Sequence, residues 1–453
     1  MADNAADEVP LAPDEGDSEP PNAARRRSRS QVIVAVLGCA LFFAPWAAFL
    51  AGARSDPVPG ENRALAPAPQ YHGFATLNDI TKYAADHFPL RDAAVRNNKR
   101  LIRDLFSEDP SYFLTADNQQ VLAGKNHWLY LSDDFNKACQ PETALSTVMA
   151  GVKRLDAMLH AAGKRLVLAV PPDKSHADPQ FLPESFEQKS CSQQARDERD
   201  RALRSLDIHG YVDISKIVAM QEKQTGKPAF LPFDTHWTEQ TAAAFVQAVA
   251  GKLDPALADG TTVAPSKDPA RSPVLEQGDL AVLDGDAHLF KEQGYDLTRA
   301  GVTSESTCDE YGPIAGAYSV NHFTSTTAGP AKLFTPRTTW IGDSFTQRAL
   351  PKIWPYFSDM TRVPELTKAI AAGDDKSGRL VYPIAQARML YEISHSDVVV
   401  VELVERTFAG VGAYGSMWTH RFLDLVQQAL QHPPASHPRP EPGSSCDLNA
   451  QAK

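Results

Sequence analysis

Apolar residues recur at helical and strand spacings along most of the chain. Leu77, Ile80 and Ala84 share one helix face. After Pro89, a basic segment carrying Leu90, Ala94, Leu101 and Leu105 predicts a second helix. His127 to Leu131 reads as a short strand after a turn at Gly124. The clearest unit spans 142–172. Leu145, Val148, Met149, Val152, Leu155, Met158 and Leu159 keep i, i+3, i+4 spacing, and Gly163 stands where a helix C-cap glycine belongs. Arg165 to Val170 then reads as a buried parallel strand, stopped by Pro171-Pro172. A helix over about 192–206, a strand from Gly210 to Ile214 and a helix capped by Thr238 follow. The capped helix shows Ala242, Phe245, Val246, Val249 and Leu253 on one face. Residues 254–272 read as a loop. Thr338 to Ile341 and Val398 to Val401 predict central strands, and Trp418, Phe422, Leu425, Val426 and Leu430 a C-terminal helix. Helices alternating with apolar, β-branched strands predict an α/β fold: a parallel sheet with helices on both faces.

The N-terminus adds a compartment to this picture. Residues 1–24 hold seven acids, four prolines and no base, too little apolar surface to offset the entropy of ordering. Arg25, Arg26, Arg27 and Arg29 follow, and then no charged residue occurs from Gln31 to Ala53. A run of that length predicts a single transmembrane helix, with the arginines keeping the N-terminus inside. Ala51-Gly52-Ala53 also fits a signal-peptide cleavage site. A lipobox at Cys39 fits poorly, because Leu37 and Gly38 do not suit it. The expected organisation is a cytoplasmic tail (1–30), a transmembrane anchor or signal (31–53), an extended linker (54–75), a catalytic domain (76–432) and a proline-rich tail (433–453). The expected location is the inner membrane, with the soluble part in the periplasm. Export permits disulfides among Cys139, Cys191, Cys308 and Cys446; three pairings are open, and Cys139–Cys191, which flank one compact segment, are favoured.

Charge narrows the function. Lys plus Arg number 45 and Asp plus Glu 56, a formal net charge of −11, which speaks against a nucleic-acid partner. Five cysteines without a C-x-x-C pair exclude a disulfide scaffold and give no sign of structural zinc.

Two segments carry chemistry: Phe233-Asp234-Thr235-His236-Trp237 and Ile341-Gly342-Asp343-Ser344-Phe345, with Ser344 108 residues after His236. Ser344 sits between a strand and a helix start, where its hydroxyl is presented and its own N–H can stabilise an oxyanion. A serine hydroxyl needs a base, and His236 is the candidate; Asp234 would orient the imidazole. No metal or cofactor is expected, because Asp234 and His236 show no third ligand nearby in sequence. Trp237 is a candidate for stacking on a sugar ring and Arg348 for holding a carboxylate or hydroxyl. Asp343 reads as a turn acceptor, Arg406 as a structural ion-pair partner, and Asp173 and Lys174 as loop braces.

Together these residues resemble the SGNH-hydrolase-like proteins of the alginate O-acetyltransferase group, the AlgJ and AlgX type. The resemblance extends to Glu61 to Pro67, to Asp86-His87-Phe88-Pro89-Leu90-Arg91, to Gly124 to Leu131, to Pro171-Pro172-Asp173-Lys174 and to Gly278-Asp279-Leu280. His127 departs from it, standing where the family usually has Gly before Trp, and no second oxyanion donor is assigned. The resemblance implies a flavodoxin-like fold with the nucleophile late and the Asp-His pair early. It also implies O-acetylation of an exported polysaccharide, with Ser344 as nucleophile, His236 as base and Asp234 as orienting acid. A membrane-bound O-acyltransferase of the AlgI type would supply acyl groups. The alternatives are a polysaccharide acetyl esterase and a non-catalytic scaffold of an export complex.

Overall fold

The computed structural model describes residues 29–54, 68–69, 71, 73, 75–89, 91, 121–269, 274–284, 289–311, 318–366, 381–410 and 417–440. The expected acidic tail, most of the linker, the second basic helix and the end of the proline-rich tail lie outside them. Two compact units form. The helices Arg29–Leu50 and Ala75–His87 belong to the first, and everything from Val121 onward to the second. The apolar run at 31–53 does become helical as far as Leu50. Among the described residues, however, no helix is long and apolar enough to cross a membrane, so the expected transmembrane helix has no support in the structure.

The second unit is built on a seven-stranded sheet. Its strands are β1 (Arg165–Ala169), β2 (Tyr211–Val212), β3 (Val302–Glu310), β4 (Ser319–Thr327), β5 (Thr338–Gly342), β6 (Asp359–Pro364) and β7 (Val398–Glu402), in the order β2-β1-β7-β5-β6-β4-β3. The five strands from β2 to β6 are parallel. β4 pairs antiparallel with both β6 and β3, so the sheet is mixed rather than wholly parallel. Counted from β5 as first strand, the parallel part reads 2-1-3-4-5, the order of a flavodoxin-like sheet whose chain begins elsewhere. From β5 the chain goes to β6 on one side and then to β7 on the other, which places a switch point between the carboxyl ends of β5 and β7.

Alternation along the strands sorts the core into two layers. Val398, Val400 and Trp340 pack on one face with helices Glu239–Leu253 and Ser344–Ile353. Val399, Val401 and Ile341 pack on the other with helices Leu145–Ala161, Val381–His395 and His420–Gln431. Each strand of this kind is buried on both sides, which is why it reads as an uninterrupted apolar run. Residues 254–272, expected as loop, contain the strand Thr261–Pro265, which pairs with Tyr295–Arg299. That partner is distant in sequence, so no local pattern announces the pair. Cys139 and Cys191 form a disulfide across 52 residues, with Cα atoms 5.4 Å apart. By loop-closure entropy it stabilises the fold by about 4 kcal/mol. Cys308 is disulfide-bonded as well, and Cys39 is free.

Candidate active site

Glycine decides the turn that carries Ser344. A Cβ on Gly342 would overlap the Thr346 hydroxyl and lie 2.5 Å from the Thr346 Cβ. The chain therefore passes directly from β5 into the helix Ser344–Ile353. Asp343 caps that helix: its Oδ1 accepts from the Phe345 N–H at 2.9 Å and its Oδ2 from the Val404 N–H at 2.9 Å. This is the turn-acceptor role expected for it. Glu402 accepts from the Thr346 N–H at 3.1 Å and from its hydroxyl at 2.6 Å, while Thr346 in turn accepts from Trp340 Nε1 at 2.9 Å. Burial, and then the nearby Asp343, push the Glu402 carboxyl well above its ordinary range. The Phe345 and Thr346 amides are both engaged in this way, and Ser344 at the start of the helix is half-buried.

The acid–histidine segment lies in a loop just before the helix Glu239–Leu253, which Thr238 caps by accepting from the Thr241 N–H at 3.2 Å. Phe230 and Trp237 form an antiparallel bridge, so successive side chains alternate across the loop. His236 faces the rim. Trp237 faces the core, fully buried, with its ring 4.7 Å from Phe245 and 5.0 Å from Phe345. The expected sugar-stacking role of Trp237 is thereby corrected: the alternation that exposes the imidazole hides the indole.

Asp234 Oδ1 bonds His236 Nδ1 at 2.7 Å and accepts from the His236 N–H at 2.8 Å. Burial alone would raise the Asp234 carboxyl, but His236, its hydrogen bonds and Arg348 together hold it well below the usual range. An ionised carboxylate at this distance favours the Nδ1–H tautomer, which leaves Nε2 as the acceptor nitrogen. The His236 ring lies 5.0 Å from the ring of Phe345, the residue after Ser344. Nε2 is buried and makes no hydrogen bond to Ser344 or any other described group. The two distant segments thus meet at one rim, with the imidazole beside the serine turn but not bonded to its hydroxyl.

Arg348 Nη2 pairs with Glu292 Oε2 at 2.5 Å, and Glu292 also accepts from the Glu239 N–H at 2.7 Å. The guanidinium is therefore committed to a structural pair, while staying near enough to Asp234 to favour its charge. Arg406 pairs with Asp173 at 2.5 Å, reaches Asp134 at 3.4 Å and lies 5.5 Å over the Phe345 ring, as an ion-pair residue should. Asp279 supplies the third group that the sequence did not show beside Asp234 and His236: ligand-type atoms of the three lie within 4.8 Å of one another. Its signal in sequence was the Gly278-Asp279 pair.

Lys174 braces the loop from beneath. It is 1% exposed and donates to the carbonyls of Pro232 at 2.8 Å and Asp234 at 3.1 Å. Its ammonium lies 4.8 Å from the centre of the Trp128 ring and 5.3 Å from that of Tyr130. Burial pushes it down from 10.5 to about 7, against the attraction of Asp234 and Asp279. Between those values the unfolded chain binds more protons, so folding stability rises with pH from about 7 to 10.5. Denaturant unfolding of the wild type should show a gain on the order of 3 kcal/mol across that window, absent in Lys174→Met. A flat wild-type curve would refute it.

A sheet of this order, with serine at the switch-point strand end and an Asp-His pair at the same rim, defines an α/β protein of the flavodoxin-like class. Residues 121–312 match the family described as SGNH hydrolase-like domain, acetyltransferase AlgX, and over that segment the resemblance to the AlgJ/AlgX group is shown. The matched segment includes Asp234, His236 and Asp279 and ends before Ser344. The probable alginate O-acetylase AlgJ of Pseudomonas fluorescens is 31% identical over 199 residues, 42% of this chain and 46% of that protein. The chain thus matches about half the length of that curated relative. Among solved structures, the O-acetyltransferase domain of Pseudomonas putida AlgJ is similar at 18% identity and a TM-score of 0.43, covering 68% of this chain and 99% of that one. Bacillus cereus PatB1 is similar at 12% identity and a TM-score of 0.42, covering 66% and 96%.

Proposed function

We propose that this protein is an O-acetyltransferase that passes acetyl groups, through an acetyl-Ser344 intermediate, to hydroxyls of an exported polysaccharide. The observation that carries the reading is the Asp234–His236 pair at 2.7 Å, standing beside the turn of Ser344 within a fold whose matched segment is AlgX-like. In the mechanism, the Ser344 hydroxyl hydrogen-bonds to His236 Nε2 when the acyl donor binds. The imidazole takes the hydroxyl proton as Oγ bonds to the acyl carbon, and the Ser344 N–H stabilises the oxyanion. The imidazolium returns the proton to the leaving group. A sugar hydroxyl then attacks the acetyl-serine, losing its proton to His236, and Ser344 leaves with that proton. Asp234 keeps the ring oriented and stabilises its charge at each step.

Export and membrane anchoring belong to the same proposal. They rest on the arginines before Gln31, on the charge-free stretch to Ala53 and on the Cys139–Cys191 disulfide, which suits an oxidising compartment. A membrane-bound O-acyltransferase of the AlgI type is the proposed supplier of acyl groups.

The test is exposure of the protein to p-nitrophenyl acetate, followed by mass spectrometry and addition of an acceptor glycan. The expected result is acetyl on Ser344, discharged to the glycan. Acetate release that ignores the acceptor would leave an esterase, and no modification of Ser344 would leave a scaffold.

A further inference from the structure

The contact between Asp279 and the acid–histidine loop is reciprocal. The Asp279 N–H donates to Asp234 Oδ2 at 3.3 Å, and the Ala281 N–H donates to the Phe233 carbonyl at 3.1 Å. In return, Asp279 Oδ1 accepts from the Thr235 N–H at 2.7 Å and Oδ2 from the Thr235 hydroxyl at 2.5 Å. Close approach requires Gly278, whose Cβ would overlap the Phe233 carbonyl oxygen. Asp279 Oδ2 also lies 3.7 Å from His236 Nδ1, outside hydrogen-bond range but well inside the range of charge. The loop therefore sets two carboxylates beside one imidazole: Asp234 bonded to it, Asp279 fastened to the residue between. Among the described residues, the other charged groups near them include Lys174 under the Asp234 carbonyl, Arg348 toward the Asp234 carboxylate and Arg406 over Phe345.

We propose that Asp279 is a positioning residue for this site: its carboxylate clasps Thr235 to hold the acid–histidine loop, and its charge stabilises the protonated imidazole during each proton transfer. The inference rests on the acyl-transfer reading for its kinetic consequence, but the charge effect on His236 is measurable without any reaction. Proton transfer to His236 creates an imidazolium, which a second negative charge favours. The Asp279 side chain is 39% exposed, so solvent weakens the effect without removing it.

The experiment uses the full chain as wild type, Asp279→Asn, Asp279→Glu and Thr235→Val. Acetylation of Ser344 by p-nitrophenyl acetate is followed between pH 5 and 9, and the His236 ring is titrated by NMR. Asp279→Asn should lower kcat about tenfold with little change in KM. It should also move both the acid limb of the rate profile and the ring titration to lower pH. Asp279→Glu should restore the limb position, and Thr235→Val should slow the reaction without moving it. An unmoved titration in Asp279→Asn, or equal losses in Asp279→Asn and Thr235→Val with neither limb displaced, overturns the proposal. A wild type that never acetylates Ser344 defeats the acyl-transfer reading instead, while the NMR titration still decides whether the charge of Asp279 reaches the ring.

Discussion

Replacing His236 by alanine should lower the rate of Ser344 acetylation about a thousandfold or more, with the fold intact. The size follows from the role. Without a base the serine hydroxyl keeps its proton at neutral pH, and what survives is binding and the oxyanion donor alone. The stability cost should be about 1–3 kcal/mol, because the ring is 16% exposed and packs on Phe345, while its loss takes one charge-assisted bond from the buried Asp234 carboxylate. Rate constants for p-nitrophenolate release, with a denaturation curve for each protein, check both halves. Activity within tenfold of wild type would remove His236 from the chemistry. Asp234→Asn separates orientation from basicity. The amide keeps an acceptor for the His236 N–H but no longer dictates the ring tautomer, so the rate should also fall by orders of magnitude while Ser344 and His236 remain.

The second large effect is expected at Gly342. Alanine there drives a methyl group into Thr346, whose hydroxyl links Trp340 to Glu402 and whose amide is held by the same carboxylate. Backbone and carboxylate cannot both yield, since β5 is buried between β6 and β7. Overpacking at such a site costs about 1–3 kcal/mol, and breaking the buried Thr346–Glu402 bonds adds to it. The turn that presents Ser344 moves as well, so acetylation should fall at least a hundredfold beyond any loss of folded protein. Chemical denaturation gives the first quantity and labelling per folded molecule the second. A Gly342→Ala protein with wild-type midpoint and wild-type labelling would show that the turn has slack the structure does not suggest.

What was readable in the sequence follows from where its physics is local. Thr338 to Ile341 and Val398 to Val401 were legible because a strand covered on both faces must be apolar at every position. The edge strand Val302–Glu310 is mostly exposed along its length, and its TSESTCDE character hides it among loops. Ser344 and the Asp234–His236 pair stood out because each motif depends on neighbours within two or three residues. Asp279 did not, because its meaning arises from a clasp across 45 residues.

The chain's own pattern determined an α/β architecture, a serine at a strand end and a carboxylate two residues before a histidine, since these rest on short-range periodicity and turn chemistry. Only the tertiary structure decided that the two segments share a rim, that Trp237 is core while His236 is not, that Arg348 is tied to Glu292, and that a second carboxylate stands beside the imidazole. Those outcomes are set by the order in which strands enter the sheet and by which face of a loop turns inward, and long-range packing settles both.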